Sequence, residues 1–223
     1  MLTIEFHCHT IYSKDSLLSV KTLLDTAQRK RIDRLVITDH NTIAGAVLAK
    51  EMAPERVIVG EEIVTQAGEL LCAFVKEKIP PGLPYLEAIS LLRQQEAYIS
   101  VAHPFDTMRK AQWSRAQLME IAPLVDAIEV FNSRCFRAEF NRTAEDFARQ
   151  NSIAGTVGSD AHTAMELGRA RMKLPSFSDT ESFKTAITDA QFKTSLSSPL
   201  IHFTSRYATW RKAMFSQTTL PKA

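Results

Sequence analysis

The sequence predicts an α/β fold: a parallel sheet covered by helices and closed into a barrel. Three observations lead there. Short apolar, β-branched runs alternate with amphipathic segments along the chain. The strand candidates are near-continuously apolar, as strands buried on both faces are. The number of strand–helix units favours a barrel over an open sheet.

The elements follow in order. Residues 2–6 form the first strand candidate. Ser19 caps a helix running to about residue 30, with Val20, Leu23, Leu24 and Ala27 at helical spacing. Residues 35–38 read as a strand, 43–52 as a helix and 57–59 as a strand. A turn at Ala67-Gly68 leads into a strand over 69–76. Pro80-Pro81-Gly82 then breaks the chain. A helix over 86–95 is followed by strands over 98–102 and 126–131, a helix over 138–150 and a strand over 153–157. A short strand near 171–174 and a helix over 181–190 close the body. The barrel domain is placed at 1–200. Residues 201–223 form a basic C-terminal tail, helical and packed on the barrel or partly disordered.

A chain of 223 residues suits one domain with a full core and a cleft. Hydrophobic residues at 45% and charged residues at 23% describe a soluble globular protein. Lys plus Arg is 27 and Asp plus Glu 25, so no strong overall field draws the chain to nucleic acid or membrane. The tail holds Arg206, Arg211, Lys212 and Lys222 and no acid, beside Tyr207, Trp210 and Phe215. Its four charges make only a modest field, so packing on the barrel is favoured over a nucleic-acid contact. Cys8, Cys72 and Cys135 are an odd, sparse set, which argues for a reducing compartment rather than a disulfide framework. With no leader and no apolar run long enough to span a bilayer, a cytoplasmic location is expected.

Five of the six histidines fall just after strand-like runs. They lie in Ile4-Glu5-Phe6-His7-Cys8-His9, Val36-Ile37-Thr38-Asp39-His40, Ser100-Val101-Ala102-His103 and Val157-Gly158-Ser159-Asp160-Ala161-His162. The run Val57-Ile58-Val59-Gly60 likewise ends in Glu61-Glu62. In α/β barrels that end of the strands carries the active site, so these residues should meet on one rim. Imidazole with carboxylate is a ligand set for zinc, manganese or iron. Strand alternation aims His7 and His9 together into the barrel and Cys8 away, and Asp160 and His162 repeat the spacing. One such histidine would be unremarkable core; five joined by acids indicate a metal cluster. His202 and Cys72 lie outside this pattern and are assigned to packing.

These motifs resemble a known family. His7-Cys8-His9-Thr10 with Tyr12-Ser13-x-Asp15-Ser16 is similar to the opening motif of the PHP (polymerase and histidinol phosphatase) superfamily. Thr38-Asp39-His40-Asn41, Gly60-Glu61-Glu62-Ile63, Ala102-His103-Pro104 and Gly158-Ser159-Asp160-Ala161-His162 resemble the motifs that follow, in the same order. The resemblance implies a distorted (β/α)7 TIM-like barrel, two or three divalent metal ions (Mn, Zn or Fe) and hydrolysis of phosphate esters. It implies His7, His9, Asp15, His40, Glu62, His103, Asp160 and His162 as ligands. A further family ligand after the sixth-strand motif, Glu129-Val130-Phe131-Asn132-Ser133, falls near Arg137. Cys135 is close by and is the candidate extra ligand. Arg134 and Arg137 are candidate phosphate clamps, as guanidinium forks suit phosphate.

The expected mechanism is attack on phosphorus by a metal-bridging hydroxide. Glu62 would bridge the ions, Asp160 would take the water's proton, His9 would complete the catalytic set and Asp39 would orient a histidine. With no polymerase module attached, the expected activity is that of a free-standing phosphomonoesterase. Its partner would be a small phosphorylated substrate, a nucleotide or nucleoside bisphosphate. Two rivals stand beside it. An amidohydrolase would need a carboxylated lysine at a strand end, where only Lys76 comes near and matches no motif. A non-enzymatic metal-binding regulator would need no complete ligand set. The loops at 105–113 and 163–168 are expected to set specificity.

Overall fold

The computed structural model describes residues 1–216, with side chains to residue 214. Residues 217–223, Lys222 among them, and the side chain of Phe215 lie outside the described residues. Nine strands form one sheet in the order β7-β6-β5-β4-β3-β2-β1-β8-β9. They are β1 (Leu2–Cys8), β2 (Arg34–Ile37), β3 (Val57–Val64), β4 (Glu69–Ala73), β5 (Tyr98–Val101), β6 (Ala127–Asn132), β7 (Ala154–Gly158), β8 (Arg171–Leu174) and β9 (Gln191–Lys193). The helices are α1 (Val20–Arg29), α2 (Ala44–Met52), α3 (Tyr85–Gln94), α4 (Arg115–Ile121), α5 (Ala138–Gln150), α6 (Thr180–Ala186) and α7 (Ile201–Ser216).

The first seven strands curl in chain order into a distorted TIM-like barrel. Beyond β7, Ala161 bridges back to Cys8, with His9 N donating to Ala161 O at 2.8 Å and Ala161 N to His7 O at 3.3 Å. These bonds close the ring at its rim. Below them, β8 and β9 extend β1 as an antiparallel ribbon.

The sheet is not parallel throughout. β1, β2 and β3 pair in parallel, as do β5, β6 and β7, but β4 runs antiparallel to both neighbours. The reason is the link at 65–68, which is too short for a parallel crossover and folds as a hairpin. Thr65 closes it, its backbone N and Oγ1 both donating to Gly68 O at 3.0 and 2.6 Å. Three other details differ from expectation. β3 continues through Glu61 and Glu62 to Val64. Helix α4 was not anticipated; a Ser114–Gln117 capping box starts it, and it lasts only two turns. The expected helix over 181–190 ends at Ala186, and a 3-10 turn leads into the unexpected β9.

Local sequence explains the rest. Ser19 Oγ accepts from Thr22 N at the start of α1, and Val20, Leu23 and Ala27 are buried on one face. α1 and α2 cover one side of the barrel over Leu35, Ile37 and Cys8, while α3, α4 and α5 cover the other over Ile99, Val101 and Ile128. The interior is apolar. Phe183 of α6 is fully buried there, stacked on Phe6 at 5.8 Å and edge-on to Tyr98 at 4.8 Å and Phe177 at 4.9 Å.

Two irregularities aim the strand ends. Glu5 pairs with Leu35 and Cys8 with Ile37, so β1 carries an extra residue. Phe6 can therefore join the interior while His7 and His9 also turn inward and Cys8 packs toward α1 and α2. β6 bulges likewise between Glu129 and Phe131.

The plug at Phe183 gives the first prediction. Phe183→Ala should destabilise the protein by about 3–5 kcal/mol, as loss of a buried phenyl ring does. Urea unfolding measures it; a cost under about 1 kcal/mol would show that the interior does not lean on this ring.

Candidate metal centre

The ends of the barrel strands bring one group of polar side chains together. His7 is the next-to-last residue of β1 and His9 follows the strand, with Ser13 and Asp15 in the next loop. Asp39 and His40 follow β2, Glu62 lies in β3, His103 follows β5, and Asp160 and His162 follow β7. Because β4 runs the other way, its first residue, Glu69, reaches the same rim. His103 and Asp160 hold positive backbone φ angles of 27° and 51°, a strained conformation that occurs at functional sites.

The distances are short. His7 Nε2 lies 3.1 Å from His9 Nε2 and 3.3 Å from Glu62 Oε2. His9 Nε2 lies 3.3 Å from both Glu62 Oε2 and Asp160 Oδ1. His40 Nδ1 is 3.0 Å from Glu62 Oε2, and His103 Nε2 is 3.0 Å from Glu62 Oε1. Asp15 Oδ2 meets His40 Nε2 at 3.4 Å and His162 Nε2 at 3.3 Å. All eight side chains named as ligand candidates thus sit in one cluster.

Hydrogen bonds behind the cluster set the tautomers. His7 Nδ1 donates to Glu129 Oε1 at 2.9 Å, leaving Nε2 to face inward. Ser13 Oγ donates its one proton to Asp39 Oδ1 at 2.7 Å, so it accepts from His9 Nδ1 at 3.0 Å and from His40 N at 3.0 Å. His9 Nε2 therefore also faces inward with a lone pair. His162 Nδ1 donates to Asp160 O at 2.8 Å. Asp39, expected to orient a histidine, does so through Ser13.

Two imidazole nitrogens 3.1 Å apart, each backed by a proton acceptor, need a cation between them. Burial pushes the His7 pKa down, yet Glu62, Glu129 and Asp160 outweigh it and hold it well above its ordinary value. Burial and the neighbouring His162 and His40 take His9 down to about 3, so it stays neutral. For Glu62, burial is outweighed by His7 and His40; for Asp160, by Arg109 and His7; both carboxylates are held well below their usual range. Glu62 Oε2, Asp160 Oδ1 and Asp15 Oδ1 are buried and carry no hydrogen bond among the described residues. Ligand atoms converge within 4.8 Å in three sets: His9, His40 and His162; His7, His9 and Glu62; and His40, Glu62 and Glu69. Inward imidazole nitrogens beside anionic oxygens that lack hydrogen bonds fit divalent metal ions, which would take the place of the proton on His7.

The other candidates fare differently. Cys135 is buried, and burial pushes its thiol well above the usual range, away from thiolate; it lies outside the three converging sets. Arg134 is buried, with Nη1 at 3.5 Å from Asp160 O and 3.6 Å from Glu166 Oε1, and Nη2 donating to Ser205 Oγ at 2.8 Å. Arg137 is not brought to the cluster: it stands exposed at the start of α5, where the strand-like backbone of residue 137 turns its side chain out. Lys76 is exposed and pairs with Glu96 at 2.7 Å, so it does not join the rim. His202 stacks on Phe136 at 4.1 Å.

Three participants were missed. Glu129 accepts from His7, from His103 N at 2.8 Å and from Asn132 Nδ2 at 3.1 Å. Its signal was a carboxylate embedded in an apolar strand. Glu69 Oε2 lies 3.4 Å from His103 Nε2; only the antiparallel turn of β4 places it there. Arg109 Nη2 donates to Asp160 Oδ2 at 2.6 Å from a loop with no sequence signature.

Comparison with known proteins follows the same lines. A family model described as the PHP domain matches residues 5–112, and one described as PHP-associated matches residues 138–191. An uncharacterized protein of Methanocaldococcus jannaschii is 36% identical over 175 residues, covering 77% of this chain and 70% of that one. A two-domain protein from Bacteroides vulgatus containing a predicted PHP-like metal-dependent phosphoesterase superimposes with a TM-score of 0.62 at 21% identity. The match covers 74% of this chain and 53% of that one, so this chain spans about half its length. A lesion-specific endonuclease from Pyrococcus furiosus superimposes with a TM-score of 0.58 at 14% identity, over 86% of this chain and 57% of the other.

Glu129 offers a test that spares every candidate ligand. Glu129→Gln should weaken manganese binding by about 10- to 100-fold, because His7 loses its orienting acceptor. Chelator competition would measure it, with circular dichroism to verify folding. Unchanged affinity would remove Glu129 from the site.

Proposed function

The chain belongs to the PHP superfamily, and from that membership we propose that it is a metal-dependent phosphoesterase acting on small phosphomonoesters, first among them nucleotides or nucleoside bisphosphates. The observation that carries the proposal is the rim itself: the inward Nε2 atoms of His7 and His9 beside Glu62 Oε2 and Asp160 Oδ1, which carry no hydrogen bond among the described residues.

His7, His9, Asp15, His40, Glu62, His103, Asp160 and His162 would hold two or three divalent ions, with Glu69 as a further donor in place of Cys135. Bound there, the ions supply Lewis acidity and a water acidic enough to attack phosphorus at neutral pH. The chain's own residues do the rest. Glu62 faces His103 with Oε1 and His7, His9 and His40 with Oε2, so it spans the cluster. Asp160 has Oδ2 tied by Arg109 at 2.6 Å and Asn132 at 3.3 Å, and it keeps Oδ1 free to take the proton of the attacking water. Arg109, rather than Arg137, would neutralise the transferred phosphoryl group: its Nε meets Asp106 Oδ2 at 3.3 Å and its Nη2 Asp160 Oδ2 at 2.6 Å, which leaves Nη1 for a phosphoryl oxygen. These groups neutralise the charge that develops on the phosphoryl oxygens.

Helix α7 supports a nucleotide as substrate. A hollow of about 300 Å³ lies between it and the rim, lined by Asp15, Leu17, His162, Phe203 and Tyr207 among others. Its polar end is the cluster and its walls are apolar and aromatic. A phosphate on the cluster would place a planar leaving group against Phe203 and Tyr207. All three cysteines are free, which suits a reducing, cytoplasmic setting. Among the described residues no helix is long and apolar enough to cross a membrane.

The test is phosphate release by manganese-loaded protein from nucleoside monophosphates, 3′,5′-bisphosphates, sugar phosphates and histidinol phosphate, with His9→Ala as control. Selective release from nucleotides that vanishes in the control is expected. Tyr207→Ala should raise KM for those nucleotides by about fivefold or more, since stacking contributes roughly 1–3 kcal/mol per base. No release from any monoester by metal-loaded protein would overturn the phosphomonoesterase reading and turn attention to phosphodiesters, the bond class of the endonuclease neighbour.

A further inference from the structure

The loop after β5 leaves the rim at His103 and returns to the barrel at Trp113, and its two ends meet on one atom. Ala102 N donates to Glu69 O at 3.1 Å, and Trp113 Nε1 donates to the same oxygen at 3.3 Å. Ends held this close make the residues between them a compact Ω-type loop rather than a free strap. Trp113 is buried on the β3–β4 hairpin, edge-on to Tyr85 at 5.6 Å. A Cβ on Gly68 would run into the indole, so the hairpin turn accepts Trp113 only as glycine. Phe105 packs on Phe147 of α5 at 5.5 Å and fixes the near end of the loop.

Inside the loop one buried carboxylate organises the backbone. Asp106 N donates to His103 O at 3.1 Å and Arg109 N to Asp106 O at 3.2 Å, so two turns follow one another. Asp106 Oδ1 accepts from Met108 N at 3.0 Å, while Oδ2 meets Arg109 Nε at 3.3 Å. Gln112 Nε2 donates to the carbonyls of Thr107 and Arg109 at 2.8 and 2.7 Å and fastens the tip. These contacts converge on one orientation of one side chain. Arginine is rich in rotamers, and that freedom must be lost before it can act at a fixed place. Here Asp106 removes it in the folded protein, so Arg109 reaches Asp160 Oδ2 at 2.6 Å already oriented. Among the described residues the side-chain hydrogen bonds of Asp106 go to Met108 and Arg109, not to a candidate ligand.

We propose that Asp106 is a positioning residue of the reaction: in a loop held by the Gly68–Trp113 latch, it presents Arg109 to the phosphoryl group beside Asp160. The proposal rests on the phosphoesterase reading and adds to it a residue outside the metal cluster on which the rate depends.

The test is a double-mutant cycle in phosphate release by manganese-loaded protein, with Asp106→Asn, Arg109→Ala and the two combined. Asparagine still accepts from Met108 N but offers an N–H to Arg109 Nε, so the turn stays and the arginine contact goes. Asp106→Asn should lower kcat by about 10- to 100-fold with KM changed by less than about threefold, because a displaced cation fails the developing charge rather than the bound substrate. In the Arg109→Ala background the same substitution should cost less than about twofold. A merely structural role would cost the same in both backgrounds. Trypsin cleavage after Arg109 or Lys110, located by mass spectrometry, reads the latch without activity. Gly68→Ala should accelerate it by about fivefold or more, and so should Trp113→Phe, which keeps a ring but loses the N–H. Equal losses in both backgrounds, or cleavage unchanged in a folded latch variant, would overturn the proposal. No release by the metal-loaded wild type would overturn the phosphoesterase reading and this role with it, whereas an active wild type with additive losses overturns the role alone.

Discussion

The structure turns on one arrangement: His7 Nε2 and His9 Nε2, 3.1 Å apart, each facing inward because its other nitrogen is committed. Two lone pairs cannot be buried face to face in a dry interior without a positive centre between them. Five carboxylates, Asp15, Glu62, Glu69, Glu129 and Asp160, surround the site, and Arg109 is the guanidinium that hydrogen-bonds one of them. The negative potential of Glu62, Glu129 and Asp160 is what lifts the His7 pKa against burial. A pocket that draws a proton so strongly onto an imidazole draws a divalent cation for the same reason. The outer partners matter as much as the inner ones. Without Glu129 or the Asp39–Ser13 pair, either ring could flip and offer its N–H to the cluster instead.

That arrangement needs strand ends that regular alternation cannot provide. A strand that sent Phe6 inward would send His7 outward. The bulge in β1 breaks the rule at that point, so the apolar plug and the rim histidines come from consecutive residues. Gly158 completes the seam. A Cβ there would run into the His7 side chain and approach Glu129 Oε1 to 2.7 Å, so the backbone of β7 can lie against the rim only as glycine. The positive φ of Asp160 then turns its carboxylate back toward His9. Asn41, His103 and Asp160 hold positive φ angles at the rim, and Arg31, Phe74, Glu96 and Ser152 do so at turns elsewhere.

These features explain which parts of the site were legible in the sequence. Strand-end histidines in ordered motifs announce themselves, because chemistry at the mouth of a barrel must follow an apolar run. His7, His9, His40, His103, Asp160 and His162 were visible in that way. The second layer was not. Glu129 looks like one polar position in a strand, and its acceptor role appears only when β6 bulges beside His7. Glu69 could be placed only by knowing that a four-residue link reverses β4. Arg137 drew attention by offset from a motif, yet the chain turns it outward, and Arg109 comes to the rim from the loop after Ala102-His103-Pro104, where no spacing singles it out. Charges on loops are positioned by tertiary packing, and no local pattern records that.

The boundary between family scaffold and individual chain also falls at a physical joint. The matched residues, 5–112 and 138–191, contain the eight clustered ligand candidates and Glu69, though not Cys135. Helix α7 lies outside them, yet it is fastened to the rim at two places. Arg134 donates to Ser205, and Lys212 donates to the carbonyls of Ile11 and Ser13 in the loop that carries Asp15. Both fasteners are charged, and beside them His202 stacks on Phe136 and Ala208 is buried. That frees its aromatic side chains: Phe203 and Tyr207 are 65% and 53% exposed while also lining the hollow beside His162. A helix retained for packing alone would bury those rings. In the proposed reading, these open rings beside His162 are where the leaving group of a substrate would lie, so selectivity would come from a helix outside the residues that the family models match.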